Sequence, residues 1–129
     1  MDQQEARFAH DRLDAYRVAH EALARGEAIA QQLPRGYAGL ADQLRRAQLS
    51  VLLGIAEAAS RSGGDRLARF RCARGEASEA AAALDAILAL GLASRAEVEP
   101  VITLCAALRD ADPSGEGGPV GARQPVGAK

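Results

Sequence analysis

The sequence predicts an all-α fold, an up-down-up-down antiparallel four-helix bundle with short loops and a disordered C-terminal tail. Apolar residues recur at steps of three and four in four segments, and Gly- or Pro-containing breaks separate these segments. No segment alternates apolar and polar residues as a half-buried strand does. At 129 residues, the chain is long enough for one domain. We predict helices over about 11–33, 39–61, 65–90 and 95–109, within a bundle of residues 1–110.

The first helix is predicted from a cap, a thin apolar seam and a stop. Asp11 is placed to cap it, and Asp14 falls in the first turn, where a negative charge is favourable. Small Gly26 in the seam should let a neighbouring backbone come close. Pro34 and the glycines after it end the helix. The seam consists of Tyr16, Ala19, Leu23, Gly26, Ala30 and Leu33.

The second helix carries more apolar surface than a bundle of one chain requires. A core stripe contains Leu40, Leu44, Ala47, Val51, Ile55 and Ala58, and a polar stripe beside it contains Gln43, Arg46, Ser50, Gly54, Glu57 and Arg61. A third stripe, again apolar, contains Leu49, Leu52, Leu53 and Ala56. A helix at the edge of a bundle needs only one apolar stripe, about 100° wide. The pattern therefore predicts that something else covers this helix.

The third helix follows the break at Ser62-Gly63-Gly64 and ends before Gly91, which permits a C-terminal cap. Its second half, from Ala80 to Ala93, has Asp85 as its only charged residue. This helix therefore also favours burial on more than one side. Its predicted apolar face contains Leu67, Phe70, Ala73, Ala77, Ala81, Leu84 and Leu88.

The fourth helix is predicted from a capping box, in which Ser94 is followed three residues later by Glu97. Pro100 is expected to bend or delay it, because proline removes one backbone hydrogen bond. Its predicted buried face contains Val98, Val101, Ile102, Cys105 and Leu108. The last 19 residues, 111–129, contain five Gly and three Pro and should form a disordered tail.

The charges predict a local basic segment rather than a basic protein. Sixteen basic residues against 17 acidic ones give a net charge of −1, which argues against a surface wholly devoted to nucleic acid. Residues 35–74, however, hold eight Arg against three acidic residues. We predict a polar interface or binding stripe made of Gln43, Arg45, Arg46, Ser50, Glu57, Arg61, Arg69, Arg71 and Arg74.

Two explanations of this stripe remain open from the sequence. In the structural explanation, an antiparallel turn at Gly63-Gly64 places Arg46 opposite Glu79 and Glu57 opposite Arg69 or Arg71, and Glu57 also pairs with Arg61 along its own helix. In the other explanation, the arginines form a phosphate-binding zone for RNA or DNA.

Several classes of protein are disfavoured. Neither histidine has a glutamate three residues before it, as a di-iron bundle requires. The only lysine is Lys129, so a phosphate-binding loop is absent. We therefore predict no catalytic residue, cofactor or metal. Cys72 and Cys105 are expected to be free, buried thiols. The polar N-terminus and the short charge-free run from Ala47 to Ala56 predict a cytoplasmic protein that does not enter membranes.

One set of residues resembles a known family. Asp42-Gln-Leu-Arg-Arg-Ala47, Ser50, Ile55-Ala-Glu57, Arg61, Phe70 and Ala73-Arg-Gly75 are similar to the signature of the four-helix-bundle proteins encoded within intervening sequences of large-subunit ribosomal RNA genes. The resemblance covers roughly Leu13 to Leu92. The family pattern usually has Asn-Ile-Ala-Glu-Gly where this chain has Gly54-Ile-Ala-Glu-Ala58.

This resemblance implies a bundle that assembles into a ring, a pentamer in known cases, without established enzymatic activity. A related branch, the accessory proteins of diversity-generating retroelements, binds a reverse transcriptase and nucleic acid. We therefore expect a non-enzymatic homo-oligomer, five-membered by resemblance, that acts as an assembly or adaptor protein. The alternative is a nucleic-acid-binding accessory factor that works with RNA or a reverse transcriptase.

Overall fold

The computed structural model describes residues 13–111, which form four α-helices and no strand. The helices are α1 (Asp14–Gln32), α2 (Ala38–Ala59), α3 (Gly63–Ala89) and α4 (Arg95–Arg109), and one 3-10 turn (Arg35–Tyr37) precedes α2. Each helix packs against the two beside it, α1 and α3 both contacting α2 and α4. This arrangement confirms the all-α, up-down-up-down bundle with short loops.

The ends of α3 and α4 follow the chemistry of their terminal residues. Gly91 has a φ of 68°, and the amides of Gly91 and Leu92 donate to the carbonyls of Leu88 and Ile87, each at 3.0 Å. These are the two hydrogen bonds of a Schellman cap. At the start of α4, the Ser94 hydroxyl accepts from the Glu97 amide at 3.1 Å, and the Glu97 carboxylate accepts from the Ser94 amide. Both predicted caps are confirmed.

Other boundaries differ from the prediction. The first helix begins three residues later than predicted, and its N-cap residue is Leu13, without a side-chain hydrogen bond; Asp11, the predicted cap, lies outside the described residues. The third helix begins at Gly63 rather than at Asp65. Gly63 has a φ of 59°, a conformation that favours glycine, and the three-residue turn lies two residues earlier in the chain than predicted.

Smaller corrections concern α2, α4 and the predicted tail. The second helix ends at Ala59 rather than at Arg61, and its last carbonyls accept from Ser60 and Arg61 amides in a tight turn. Pro100 does not delay α4, which begins at Arg95 with the proline in its second turn. Ala111 was assigned to the tail but is buried. The remainder of the tail lies outside the described residues.

Two clusters of buried side chains fill the bundle. The core stripe predicted for α2 is buried apart from Leu40, which is half-buried. Cys105 is buried as expected, and burial raises the pKa of its thiol to about 11. The expectation for Cys72 was wrong, because it lies on the exposed side of α3. The largest fully buried side chains are Phe70, Leu44, Ile55, Leu84, Ile87, Val98 and Val101.

One polar side chain, Gln48, is buried between α1 and α2 with 3% of its surface exposed. Its amide nitrogen donates to the Ala22 carbonyl at 2.6 Å. Gly26 faces the same amide group, and a Cβ at this position would lie 1.9 Å from the Gln48 Oε1 atom. The seam glycine therefore admits a side chain rather than the neighbouring backbone that the sequence suggested. The fit fixes which side of α2 turns toward α1.

Replacing Gly26 with alanine should destabilise the protein, although alanine favours a helix. The new methyl group would displace the Gln48 amide from its buried hydrogen bond, and we expect a loss of about 1–2 kcal/mol in the free energy of unfolding. Urea titration followed by circular dichroism measures it. Gly75→Ala is the matched control, since a Cβ there meets nothing within 4 Å, and it should stabilise by up to about 1 kcal/mol. Equal effects of the two substitutions would contradict the packing argument.

Candidate functional site

The turn between α2 and α3 holds a closed ring of four charged side chains. Arg61 lies 2.9 Å from Asp65 and 3.7 Å from Glu57. Arg69 lies 3.0 Å from Glu57 and 3.7 Å from Asp65. Each guanidinium thus contacts both carboxylates, and the ring is neutral as a whole. The predicted pairs Glu57–Arg69 and Glu57–Arg61 are confirmed.

Arg45 lies on a different side of α2, facing α1. Its Nε and Nη2 atoms donate to the two carboxylate oxygens of Glu27 at 2.8 and 3.0 Å, and Asp42 lies 3.6 Å from its Nη1 atom. The hydrogen bonds from Arg45 hold the pKa of Glu27 below its ordinary value. Arg45 therefore joins two helices and is already engaged by carboxylates.

The middle of the polar stripe differs from the predicted pairing. Arg46 was expected opposite Glu79, but its guanidinium donates to the Gln43 side-chain oxygen at 2.9 Å. A pair between helices is replaced by a contact along α2, because Gln43 is within one helical turn. Ser50 is exposed one turn further along the same side of α2. Among the described residues, Arg46 forms no ion pair.

Of the last two members of the predicted stripe, Arg74 lies on the side of α3 that faces α4. The Arg74 guanidinium donates to the Arg109 carbonyl at 2.9 Å, near the end of α4. Arg71 lies one turn earlier and is exposed, with no hydrogen bond or ion pair to the described part of the chain. The arginines of the predicted stripe thus lie in four separate places, and most of them contact a carboxylate or a carbonyl oxygen.

The outward face of α2 exposes two leucines from the third stripe. Leu49 is 46% exposed and Leu53 is 57% exposed, whereas Leu52 turns inward and is buried. At about 100° per residue, Leu53 lies opposite the buried Leu44 on the helix. Leu49 and Leu53 therefore lie outside the core that the four helices enclose.

On the adjacent helix, two carboxylates lie close together. Glu76 and Glu79 share one side of α3, and neither forms an ion pair within residues 13–111. Partial burial raises the pKa of Glu76, and the neighbouring Glu79 carboxylate raises it further. The outer side of α3 therefore carries uncompensated negative charge beside the outer side of α2.

A small cavity of about 10 Å³ lies inside the bundle among Gln48, Cys105 and surrounding apolar side chains, enough for about one water molecule. Over the described residues, no three His, Cys, Asp or Glu side chains are grouped as metal ligands. Every helix within residues 13–111 is too short or too polar to span a bilayer.

Sequence reasoning missed Glu27 and Asp65 as partners of the arginines. The spacing of Asp65 four residues before Arg69 was a visible signal for an ion pair along one helix. Glu27 and Arg45 lie on two helices and are separated by 18 positions in the sequence, so no local spacing indicates this pair.

Comparison with known proteins places most of the chain in one sequence family. The family model described as 23S rRNA-intervening sequence protein matches residues 11–111. No curated protein matches the chain. The matched range covers all four helices and both outer faces described above.

The Glu27–Arg45 pair predicts a pH-dependent contribution to stability. Because the pKa of Glu27 is lowered in the folded state, its stabilisation is complete above the ordinary carboxyl pKa and is lost as the pH falls through the lowered value. Glu27→Gln should therefore narrow the difference in unfolding free energy between about pH 7 and pH 3. Urea titrations across this range measure it.

The control is Glu21→Gln, which breaks an exposed pair with Arg25 inside α1 and should change the pH profile less. A Glu27→Gln profile parallel to that of the wild type would contradict the assignment.

Proposed function

The chain belongs to the 23S rRNA-intervening sequence protein family, and we propose that it is a non-enzymatic assembly or adaptor protein that forms a closed homo-oligomer. The observation that carries the proposal is the outward pair Leu49 and Leu53 on α2. The resemblance stated from the sequence implies a ring of five subunits, and we adopt that number for the proposal.

The exposed leucines of α2 would be more stable buried against a second copy of the chain than left in contact with water. Burying a leucine side chain fully contributes about 1.5–3 kcal/mol, so two leucines repeated at each subunit contact favour association appreciably. The flanking polar residues, including Arg46 and Ser50, are exposed and fit the polar rim that surrounds apolar interface centres. The polar groups left at the edge would then be presented to a partner.

A cytoplasmic location is part of the proposal. Both cysteines are free thiols, and Cys72 is exposed, where an oxidising compartment would favour disulfide formation. The absence of enzymatic activity is also part of the proposal, and it is supported by the small size of the interior cavity and by the arginines that already contact carboxylates.

The alternative function is an accessory factor that binds RNA or DNA, alone or with a reverse transcriptase. Its specific support is Arg71, which is exposed without a partner among the described residues, and the Arg-rich segment around it. Phosphate contacts need cations that are available to the backbone. The ring of Glu57, Arg61, Asp65 and Arg69 satisfies two arginines internally, and this favours the adaptor function.

Substituting Leu53 should weaken assembly without unfolding the chain. Leu53→Gln keeps the side chain's length and removes its apolar end, and we expect association to weaken by about tenfold to a hundredfold. Sedimentation velocity over a dilution series measures the distribution between oligomer and monomer, and circular dichroism checks the fold.

Leu90→Gln is the matched control. Leu90 is also half-exposed but lies at the end of α3, and its replacement should leave the assembly intact. A wild-type protein that sediments as a single chain of 13.4 kDa would overturn the proposal.

Nucleic-acid binding separates the two functions. The adaptor function predicts no measurable binding of single- or double-stranded RNA or DNA at low salt, where electrostatic attraction is strongest. Glu57→Gln combined with Asp65→Asn should release Arg61 and Arg69 and produce weak, salt-sensitive binding. Fluorescence anisotropy measures both. Tight wild-type binding with a steep salt dependence would favour the accessory factor instead.

A further inference from the structure

The outer side of α3 is a row of small side chains interrupted by one carboxylate. The steps along the row alternate between four and three residues, the spacing with which one helix packs along another. All its members are exposed apart from Ala86, which is half-buried. The row consists of Ala68, Cys72, Gly75, Glu79, Ala82 and Ala86.

The outer side of α2 has the complementary shape. Its row again alternates between steps of three and four residues, but it projects two leucines where α3 has small residues. Large side chains of one helix pack well against small ones of another, because the two helix axes can then approach closely. The row consists of Arg46, Leu49, Leu53, Ala56 and Ser60.

The charges in the two rows are also complementary. Within the described residues, the Arg46 guanidinium hydrogen-bonds only to the neutral Gln43 side chain. Glu79, with Glu76 beside it, forms no ion pair within the described residues. A contact that brings Arg46 of one copy to Glu79 of another would satisfy both groups, and opposite charges across an interface also select its register.

We propose that the outer row of α2 in one copy packs antiparallel against the outer row of α3 in the next copy, with Leu49 and Leu53 against Gly75 and Cys72 and with Arg46 beside Glu79. This inference rests on the proposed homo-oligomer and names the second surface of its interface. The occupant of the α3 row is a second copy of this chain.

The register follows from simple geometry. A rotation about an axis parallel to the helices leaves each residue at its own height along the bundle. Within one chain, the Glu57–Arg69 contact and the approach of Gly54 to Ala73 show which residues of α2 and α3 share a height. The same relation places Leu53 level with Cys72, and Arg46 level with Glu79, to within about 3 Å along the helix axes. Shape and charge therefore match in a single register.

The contact joins two different surfaces and is heterologous. Each copy would use its α2 row toward one neighbour and its α3 row toward the other, which closes into a ring when the rotation is suitable. The two rows lie on adjacent corners of the bundle, so successive copies turn rather than continue in a straight line. A two-fold dimer would instead place the α2 row against itself.

Gly75 provides the sharpest test. A Cβ there meets nothing within 4 Å in the single chain, so Gly75→Leu should fold normally while its side chain fills the place of Leu49 and Leu53 from the next copy. We expect it to sediment as a monomer. Gly75→Ala keeps the side chains of the row small, and Ala28→Leu adds a leucine at an exposed position of α1. Both variants should assemble like the wild type.

Labelling of Cys72 by a maleimide gives a second readout, because the wild-type assembly should protect this exposed thiol and the Gly75→Leu monomer should not. If the wild type assembles and Gly75→Leu assembles equally well, the outer row of α3 is not part of the interface, whereas the proposed homo-oligomer stands. If the wild type is monomeric at all concentrations, both proposals fall.

A charge exchange tests the register even if Gly75→Leu does not fold. Arg46→Glu and Glu79→Arg should each weaken assembly by about tenfold or more, since like charges then meet across the contact. Mixing the two variants should restore much of the assembly, because every contact between unlike copies is matched and a five-membered ring then needs only one contact between like copies. Recovery on mixing would exclude an Arg46–Glu79 pair within one chain, because each chain in the mixture still carries only one of the two substitutions. No recovery on mixing, or no loss in either variant alone, would overturn the inference.

Discussion

The contact between Gln48 and the backbone of α1 determines how the rest of the bundle is arranged. Gln48 reaches the Ala22 carbonyl only because Gly26 has no side chain. A buried amide that loses its partner costs about 1–3 kcal/mol, so α2 is held in one rotation about its axis. In that rotation Leu44 and Ile55 face the core, and Leu49 and Leu53 necessarily face outward. The apolar outer surface is thus a consequence of how the inside packs.

The same rotation of α2 also determines which partners its charged side chains meet. Arg45 is turned toward α1 and meets Glu27, whereas Arg61 turns toward α3 and joins Asp65 and Glu57. Partly exposed ion pairs contribute little stability each, but together they fix which helix lies beside which. They also occupy the cations that a phosphate ligand would need. Arg46 and the carboxylates of Glu76 and Glu79 form no ion pair within the described residues, and they lie beside the apolar rows.

Much of the fold was predictable because local chemistry decided it. The Ser94 and Glu97 capping box and the Gly91 cap were readable from residue types alone, and the excess of apolar residues on α2 was evident from periodicity. The α2–α3 pairing of Glu57 with Arg69 followed from a short antiparallel turn. Cys72 was misplaced because a small apolar residue in a helix is buried by default, and a sequence cannot distinguish an outer small-residue row from a core row.

Other features depended on contacts between distant segments. Gln48 resembles an ordinary surface residue in the sequence, and only the neighbouring glycine on α1 makes its burial possible. Arg46 was expected to pair with Glu79 of α3 but instead donates a hydrogen bond to Gln43 in its own helix. Hydroxyl-radical footprinting of the native protein shows whether the outer face of α2 is covered in solution. Leu49 and Leu53 should be oxidised far more slowly than the exposed Leu90, and equal oxidation rates at all three leucines would show that this face is open to solvent.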